Sequence, residues 1–241
     1  MPALELTPDE LARVLTEGSL EVVGRMRYSS NGTFLVDASL DGMVVPGVYK
    51  PQRGERPLWD FPHGTLCRRE VAAYALSDAL GWDVVPLTVL RDGPFGNGAV
   101  QRFVDHDPEE HYFTLMPEHE ERFRHFAWFD VLANNADRKG GHCLLDRVSG
   151  AVLGIDHGLT FHPQWKLRTV IWEFAGESVP DDAVADVQRV VAQLDDGFFG
   201  RRLRDLLGAE EIAALRLRAE VLLEQGLPLP DGHYSMPWPL V

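Results

Sequence analysis

The sequence is poor in cysteine, in basic residues and in long apolar segments, and each shortage argues against a class of protein. Its 241 residues include two cysteines, Cys67 and Cys143, which have no paired spacing and suit a reducing compartment. No apolar run reaches the length of a membrane span, and the acidic first residues do not resemble a signal peptide. The net charge of −14 argues against nucleic acid and anionic membranes as partners. We therefore expect a cytoplasmic protein without stable membrane insertion.

The most informative feature is the stretch Asn135–His142, of sequence NADRKGGH, together with the later string IDHG at 155–158. Two short apolar runs, 142–146 and 151–155, flank a turn-forming segment, which predicts a β-hairpin. Such a hairpin brings His142 and Asp156 almost opposite each other, and cross-strand neighbours lie about 5 Å apart. That distance allows both side chains to share a metal ion. Asp137 is not spaced to lie on one helix face with Asp156, so the two carboxylates must converge through the fold.

This arrangement resembles the protein-kinase-like superfamily, especially its phosphatidylinositol 3/4-kinase-like branch. In that superfamily a catalytic Asp precedes a metal-binding Asn by five residues, and a hairpin leads to a second metal-binding Asp. The resemblance implies that Asp137 is the catalytic base, that Lys139 contacts phosphate and that Asp156 binds metal. His142 stands where the family has Asn. Because nitrogen ligands favour Mn²⁺ and Mg²⁺ prefers oxygen, we expect His142 to favour Mn²⁺, with Mg²⁺ possible.

The resemblance also assigns roles to residues upstream. A strand ending at Lys50 occupies the place of the strand whose Lys holds the ATP phosphates, and Glu70 in a predicted helix, 66–80, would orient that Lys. The segment between the first two strands lies where the phosphate-covering loop is expected, although it has a single glycine. Strand 99–104 would lead into the hinge. The resulting set of nucleotide-binding candidates is Lys50, Glu70, Ser29, Ser30, Asn31, Gly32, Gln101 and Phe103.

The predicted fold class is α+β, a two-lobed minimal protein-kinase-like fold. We expect a β-rich N-lobe over residues 1–105 and a mostly helical C-lobe over residues 106–241. In the N-lobe, 84–90 and 99–104 are predicted to form a hairpin across a glycine-rich loop. Further helices are predicted from capping and periodicity at 8–17, 117–134, 181–194 and 209–225, with an extended proline-rich tail at 228–241.

The predicted function is that of a kinase that uses ATP and a divalent metal to phosphorylate a hydroxyl acceptor. The acceptor stays open between a protein side chain, an inositol-type headgroup and a small alcohol. One alternative is a nucleotide-binding pseudokinase or regulatory module without turnover. Another is a hydrolase or other metal enzyme that uses Asp137, His142 and Asp156 as a carboxylate–histidine set. In a purely structural interpretation, Asp137 is a turn residue and Lys50 a solvated strand end.

Overall fold

The protein is described by a computed structural model over residues 6–26, 31–230 and 235–241. The chain forms two compact units. The first comprises the described residues up to Val71 together with Pro86–Phe103, and the second comprises Ala72–Val85 and the described residues from Val104 onward. The first is β-rich and the second mainly helical, which confirms the predicted α+β fold class.

A five-stranded antiparallel sheet forms the first unit, in the order β1-β2-β3-β5-β4. The strands are β1 Ser19–Arg25, β2 Phe34–Leu40, β3 Met43–Pro51, β4 Thr88–Gly93 and β5 Gly96–Arg102. Helix α1, Pro8–Glu17, packs on the core through Val14 and Leu15, and its predicted capping box at Thr7 is present. Along β3, Val45 and Tyr49 are buried in this core. Because side chains alternate along a strand, Lys50 lies on the opposite face from Tyr49.

The predicted bounds of the β4–β5 hairpin were wrong. The expected strands were 84–90 and 99–104, whereas β4 and β5 extend through most of the expected loop and leave a two-residue turn at 94–95. The glycines suggested a loop, but they lie within β4 and β5, where the absence of a side chain allows neighbouring groups to pack closely. A Cβ on Gly93 would lie 2.8 Å from the Tyr49 ring, and one on Gly98 would lie 2.6 Å from the Lys50 carbonyl oxygen. Glycine is therefore needed here inside the ladder.

Helix α2, Leu66–Leu80, has the predicted bounds, and the division between the two units falls within it. The other helices are α3 Tyr112–Leu115, α4 Glu120–Ala133, α5 Asp181–Ala192, α6 Phe198–Arg204 and α7 Ala209–Gln225. Helix α4 begins three residues later than predicted, and α5 ends two residues earlier. Helices α3 and α6 were not predicted, because segments of four and seven residues are too short to show a clear helical period.

The predicted hairpin of the second unit is present as β6, Cys143–Leu145, paired with β7, Val152–Gly154. Cys143 lies opposite Gly154, and the Ile155 N–H donates to the His142 carbonyl at 3.0 Å. His142 and Asp156 are therefore offset by one residue, as the sequence indicated. Within the described part of the chain, no helix combines the length and apolarity that crossing a bilayer requires.

Candidate active site

Lys50 and Glu70 form an ion pair within the first unit. The Lys50 Nζ lies 2.6 Å from Glu70 Oε1, and the two side chains are 16% and 6% exposed. Helix α2 holds Glu70 in place, since the Glu55 carboxylate accepts hydrogen bonds from the first two backbone N–H groups of that helix, at 3.1 and 2.8 Å. The structure thus brings together the two residues that the sequence paired. Their role toward a nucleotide stays a prediction.

Two of the four predicted phosphate-loop residues, Ser29 and Ser30, lie outside the described residues. The Asn31 side-chain oxygen accepts a hydrogen bond at 2.9 Å from a backbone N–H in the segment that follows β3. The Gly32 N–H donates to the carbonyl of Gly54 in the same segment, at 2.8 Å. Asn31 and Gly32 are therefore hydrogen-bonded to the segment 54–56, which follows the strand that carries Lys50.

The two predicted hinge residues take part in the sheet and its edge. Gln101 is buried in β5, and its amide donates to the Thr88 hydroxyl at 2.9 Å. The Phe103 N–H donates to the carbonyl of Pro46 at 3.0 Å. The nucleotide-binding role of Gln101 and Phe103 stays a prediction.

The second unit brings Asp137, His142 and Asp156 into one cluster. His142 Nδ1 donates to the Asp137 carbonyl at 2.8 Å, and His142 Nε2 lies 3.6 Å from Asp156 Oδ2. The Lys139 N–H lies 3.5 Å from the same Nδ1, at the limit of a hydrogen bond, so the shorter contact fixes the proton on Nδ1. Burial, partly offset by the Asp156 charge, lowers the pKa of His142, so the imidazole is neutral at pH 7.

Asp156 has a backbone and an exposure that differ from those of its neighbours. Its φ of 59° is left-handed, which Asp tolerates better than most residues, and its side chain is 50% exposed. Backbone conformations of this kind concentrate at functional sites.

Across the cluster, the Asp137 carboxylate lies 3.2 Å from Lys139 Nζ, and these side chains are 28% and 22% exposed. Both predicted catalytic residues are therefore within reach of a ligand.

Arg138 organises the cluster, and sequence reasoning missed it. Its guanidinium is fully buried and bonds the Asp130 carboxylate of α4 at 2.9–3.2 Å. It also donates to the carbonyls of His142 and Ile155, both at 3.3 Å, so one side chain holds the loop and the hairpin together. Burial lowers and the Asp130 charge raises the pKa of Arg138, and the net direction is upward. The sequence signal that could have indicated this buried ion pair is Asp130, a single acidic residue inside the apolar run of α4.

The backbone around the cluster is closely packed. A Cβ on Gly154 would lie 2.9 Å from the Phe126 ring, which also stacks against the Arg138 guanidinium. The Gly140 N–H donates to the Leu240 carbonyl at 2.6 Å, so the tail contacts the loop that carries Asp137 and Lys139. The tail was predicted to be extended, and through this contact its Leu240 carbonyl becomes part of the candidate site.

The donor set suits a divalent metal ion held jointly with a phosphate. Protonation on Nδ1 leaves a lone pair on His142 Nε2, which lies close to the Asp156 carboxylate oxygen. Two acceptor atoms this close are stabilised by a cation that both can bind. Among the described residues, no group of three or more His, Cys, Asp or Glu side chains could hold a metal alone. Metal ions in phosphoryl transfer commonly rely on one or two protein ligands plus phosphate oxygens.

Comparison with known proteins supports the architecture described above. No protein-family model matches the chain. Protein Rv2133c of Mycobacterium tuberculosis is 43% identical over 276 residues, covering 98% of this chain and 97% of that protein.

Two solved structures align with TM-scores of 0.53. The proinflammatory kinase CtkA of Helicobacter pylori is 11% identical, covering 88% of this chain and 94% of its own. The Golgi casein kinase is 14% identical, covering 91% and 76%. The chain belongs to the family of Rv2133c and has a protein-kinase-like fold.

Proposed function

We propose that the chain is an ATP-dependent kinase that transfers the γ-phosphate to an alcohol acceptor. The convergence of Asp137, His142 and Asp156 carries this proposal, because these residues follow the order in which the superfamily places its base and its metal ligands. The Lys50–Glu70 ion pair adds the element that this superfamily uses for the α/β-phosphates. The two solved structures compared above are described as kinases.

In the proposed mechanism Asp137 accepts the proton of the acceptor hydroxyl as that oxygen attacks the γ-phosphorus, and the bond from the γ-phosphorus to the bridging oxygen breaks so that ADP leaves. Lys139, beside the Asp137 carboxylate, binds phosphate oxygens and stabilises their charge. Lys50 binds the α/β-phosphates while Glu70 orients it. Asp156 and His142 would hold the divalent metal, which when bound neutralises charge on the phosphates.

Mn²⁺ is proposed as the better metal, with Mg²⁺ as the weaker one. A buried neutral imidazole is a nitrogen ligand, and nitrogen is accepted more readily by Mn²⁺ than by Mg²⁺. We further assign the chain to the phosphatidylinositol 3/4-kinase-like branch, on the string Ile155–Phe161. The acceptor is proposed to be a protein hydroxyl, an inositol-type headgroup or a small alcohol.

The proposal is tested by calorimetric titration with ATP in the presence of Mn²⁺, combined with a turnover assay. Asp156→Ala should lose metal-dependent nucleotide binding, because it removes a carboxylate that would hold the divalent metal beside the phosphates. Asp137→Ala should bind nucleotide nearly as the parent does but turn over at least a hundredfold more slowly, which is the usual contribution of a general base. Asp196→Ala, which removes an exposed carboxylate elsewhere, is the matched control.

The outcomes separate the candidate functions. Parent-like Mn²⁺–ATP binding by Asp156→Ala would refute the metal assignment. Tight ATP binding by the parent, without phosphoryl transfer to any of the acceptor classes and without ATP hydrolysis, would instead favour a nucleotide-binding pseudokinase. Tight metal binding that needs no nucleotide would favour the metal-hydrolase alternative.

A further inference from the structure

The second unit contains an apolar pocket beside α7, with a volume of about 560 Å³. This size lies within the range of small-molecule sites in proteins. Large apolar side chains around it are exposed to solvent: Trp165 52%, Leu217 61%, Val221 42% and Leu229 72%. Contiguous patches of exposed apolar side chains usually mark binding surfaces.

Arg218 is the only charged residue among the described residues that line the pocket. Its side chain belongs to α7 and is 7% exposed. Two of its nitrogens have partners: Nε donates to the Leu132 carbonyl at 2.9 Å, and Nη1 to the His162 carbonyl at 3.4 Å. Within the part of the chain that the structure describes, Nη2 is buried and has no hydrogen-bond partner.

A buried guanidinium with an unused donor is an unusual arrangement. Burial disfavours a charged group unless an anion or several hydrogen-bond acceptors compensate for the lost hydration. Burial lowers the pKa of Arg218 to about 10, and the Glu211 charge offsets this in part, so the side chain is still a cation at pH 7. The two carbonyl contacts explain why α7 holds an arginine against α4. They leave Nη2 without a hydrogen-bond partner among the described residues, in a side chain that lines the pocket.

We propose that this pocket binds an amphipathic monocarboxylate, with its apolar chain against the lining and its carboxylate on Arg218. Guanidinium groups bind carboxylates through parallel N–H donors, which suits this head group. One cation in an apolar lining matches one negative charge, which disfavours doubly charged phosphate head groups. Because Nη2 is enclosed, binding requires a lining side chain to move, and Leu217 and Leu229 are the exposed candidates. The proposal does not depend on the kinase function.

The test compares octanoate with 1-octanol, which has the same chain length but no charge, by calorimetric titration of the full chain at pH 7. Octanoate should bind saturably and at least tenfold more tightly than 1-octanol. The variants Leu217→Glu and Leu217→Lys lose the same exposed apolar side chain but place opposite charges at the pocket. Leu217→Glu should bind octanoate at least tenfold more weakly than Leu217→Lys.

Three results would overturn the proposal: no saturable binding of octanoate, equal affinity for octanoate and 1-octanol, or equal octanoate affinity of the two Leu217 variants. Arg218→Gln removes the proposed donor directly, and it should abolish the preference for octanoate. That variant also loses the bonds to the Leu132 and His162 carbonyls, so its folding must be checked. The Leu217 pair keeps the test decisive if Arg218→Gln does not fold.

Discussion

Replacing Arg138 by methionine should destabilise the protein strongly, because it leaves the Asp130 carboxylate buried without its counter-charge. Both side chains are fully buried. Removing one partner of such a pair costs about 3–5 kcal/mol. Asn135 and Thr169 still donate to Asp130, at 2.9 and 3.3 Å, so the lower end, about 3 kcal/mol, is expected. At roughly 2–4 °C per kcal/mol for a chain of this size, the melting temperature should fall by about 6–12 °C.

Urea denaturation followed by tryptophan fluorescence measures this loss, since five of the six tryptophans lie in the second unit with Arg138. The matched variants are Asp130→Leu and the double variant Asp130→Leu/Arg138→Met. If the two residues stabilise the fold as a pair, the double variant should lose at least about 1 kcal/mol less than the sum of the single variants. A loss below about 1 kcal/mol for Arg138→Met, or additive losses, would refute the reasoning.

Three further predictions concern the candidate site. Lys50→Met should weaken ATP binding roughly tenfold or more in calorimetry, because a charge-assisted phosphate contact contributes about 1.5–3 kcal/mol. His142→Asn should shift the metal preference of turnover from Mn²⁺ toward Mg²⁺, because it replaces a nitrogen ligand by an oxygen. Deleting Met236–Val241 should slow turnover roughly two- to tenfold, because the Gly140 N–H loses its bond to the Leu240 carbonyl, worth about 0.5–1.5 kcal/mol.

Each of these predictions has a control. Lys166→Met removes a lysine of the second unit, and equal ATP binding by Lys50→Met and the parent would exclude Lys50 from the site. An unchanged metal preference in His142→Asn would show that His142 is not a ligand. Trp238→Ala alters an 86% exposed side chain of the tail and should be neutral. Unchanged turnover after the deletion would show that the tail contact does not support the loop.

Local sequence signals were sufficient for the elements with strong patterns. The capping box at Thr7 indicated the start of α1, Gly81 indicated the end of α2, and the apolar period indicated α7. The two apolar runs around 147–150 predicted the β6–β7 hairpin and the proximity of His142 to Asp156. These features depend on interactions between residues that are close in sequence, so the sequence pattern alone specifies them.

Tertiary structure decided what depends on contacts between distant segments. Whether the glycines of β4 and β5 formed a loop or a ladder depended on the Tyr49 ring and the Lys50 carbonyl packed against them. The roles of Arg138 and Asp130 depended on burial, which no local pattern reports. The hydrogen bond from the Gly140 N–H to the Leu240 carbonyl likewise depends on the tertiary structure, as does the lack of a partner for Arg218 Nη2 among the described residues. Burial and long-range proximity determine which polar groups must find partners, and sequence spacing does not encode either quantity.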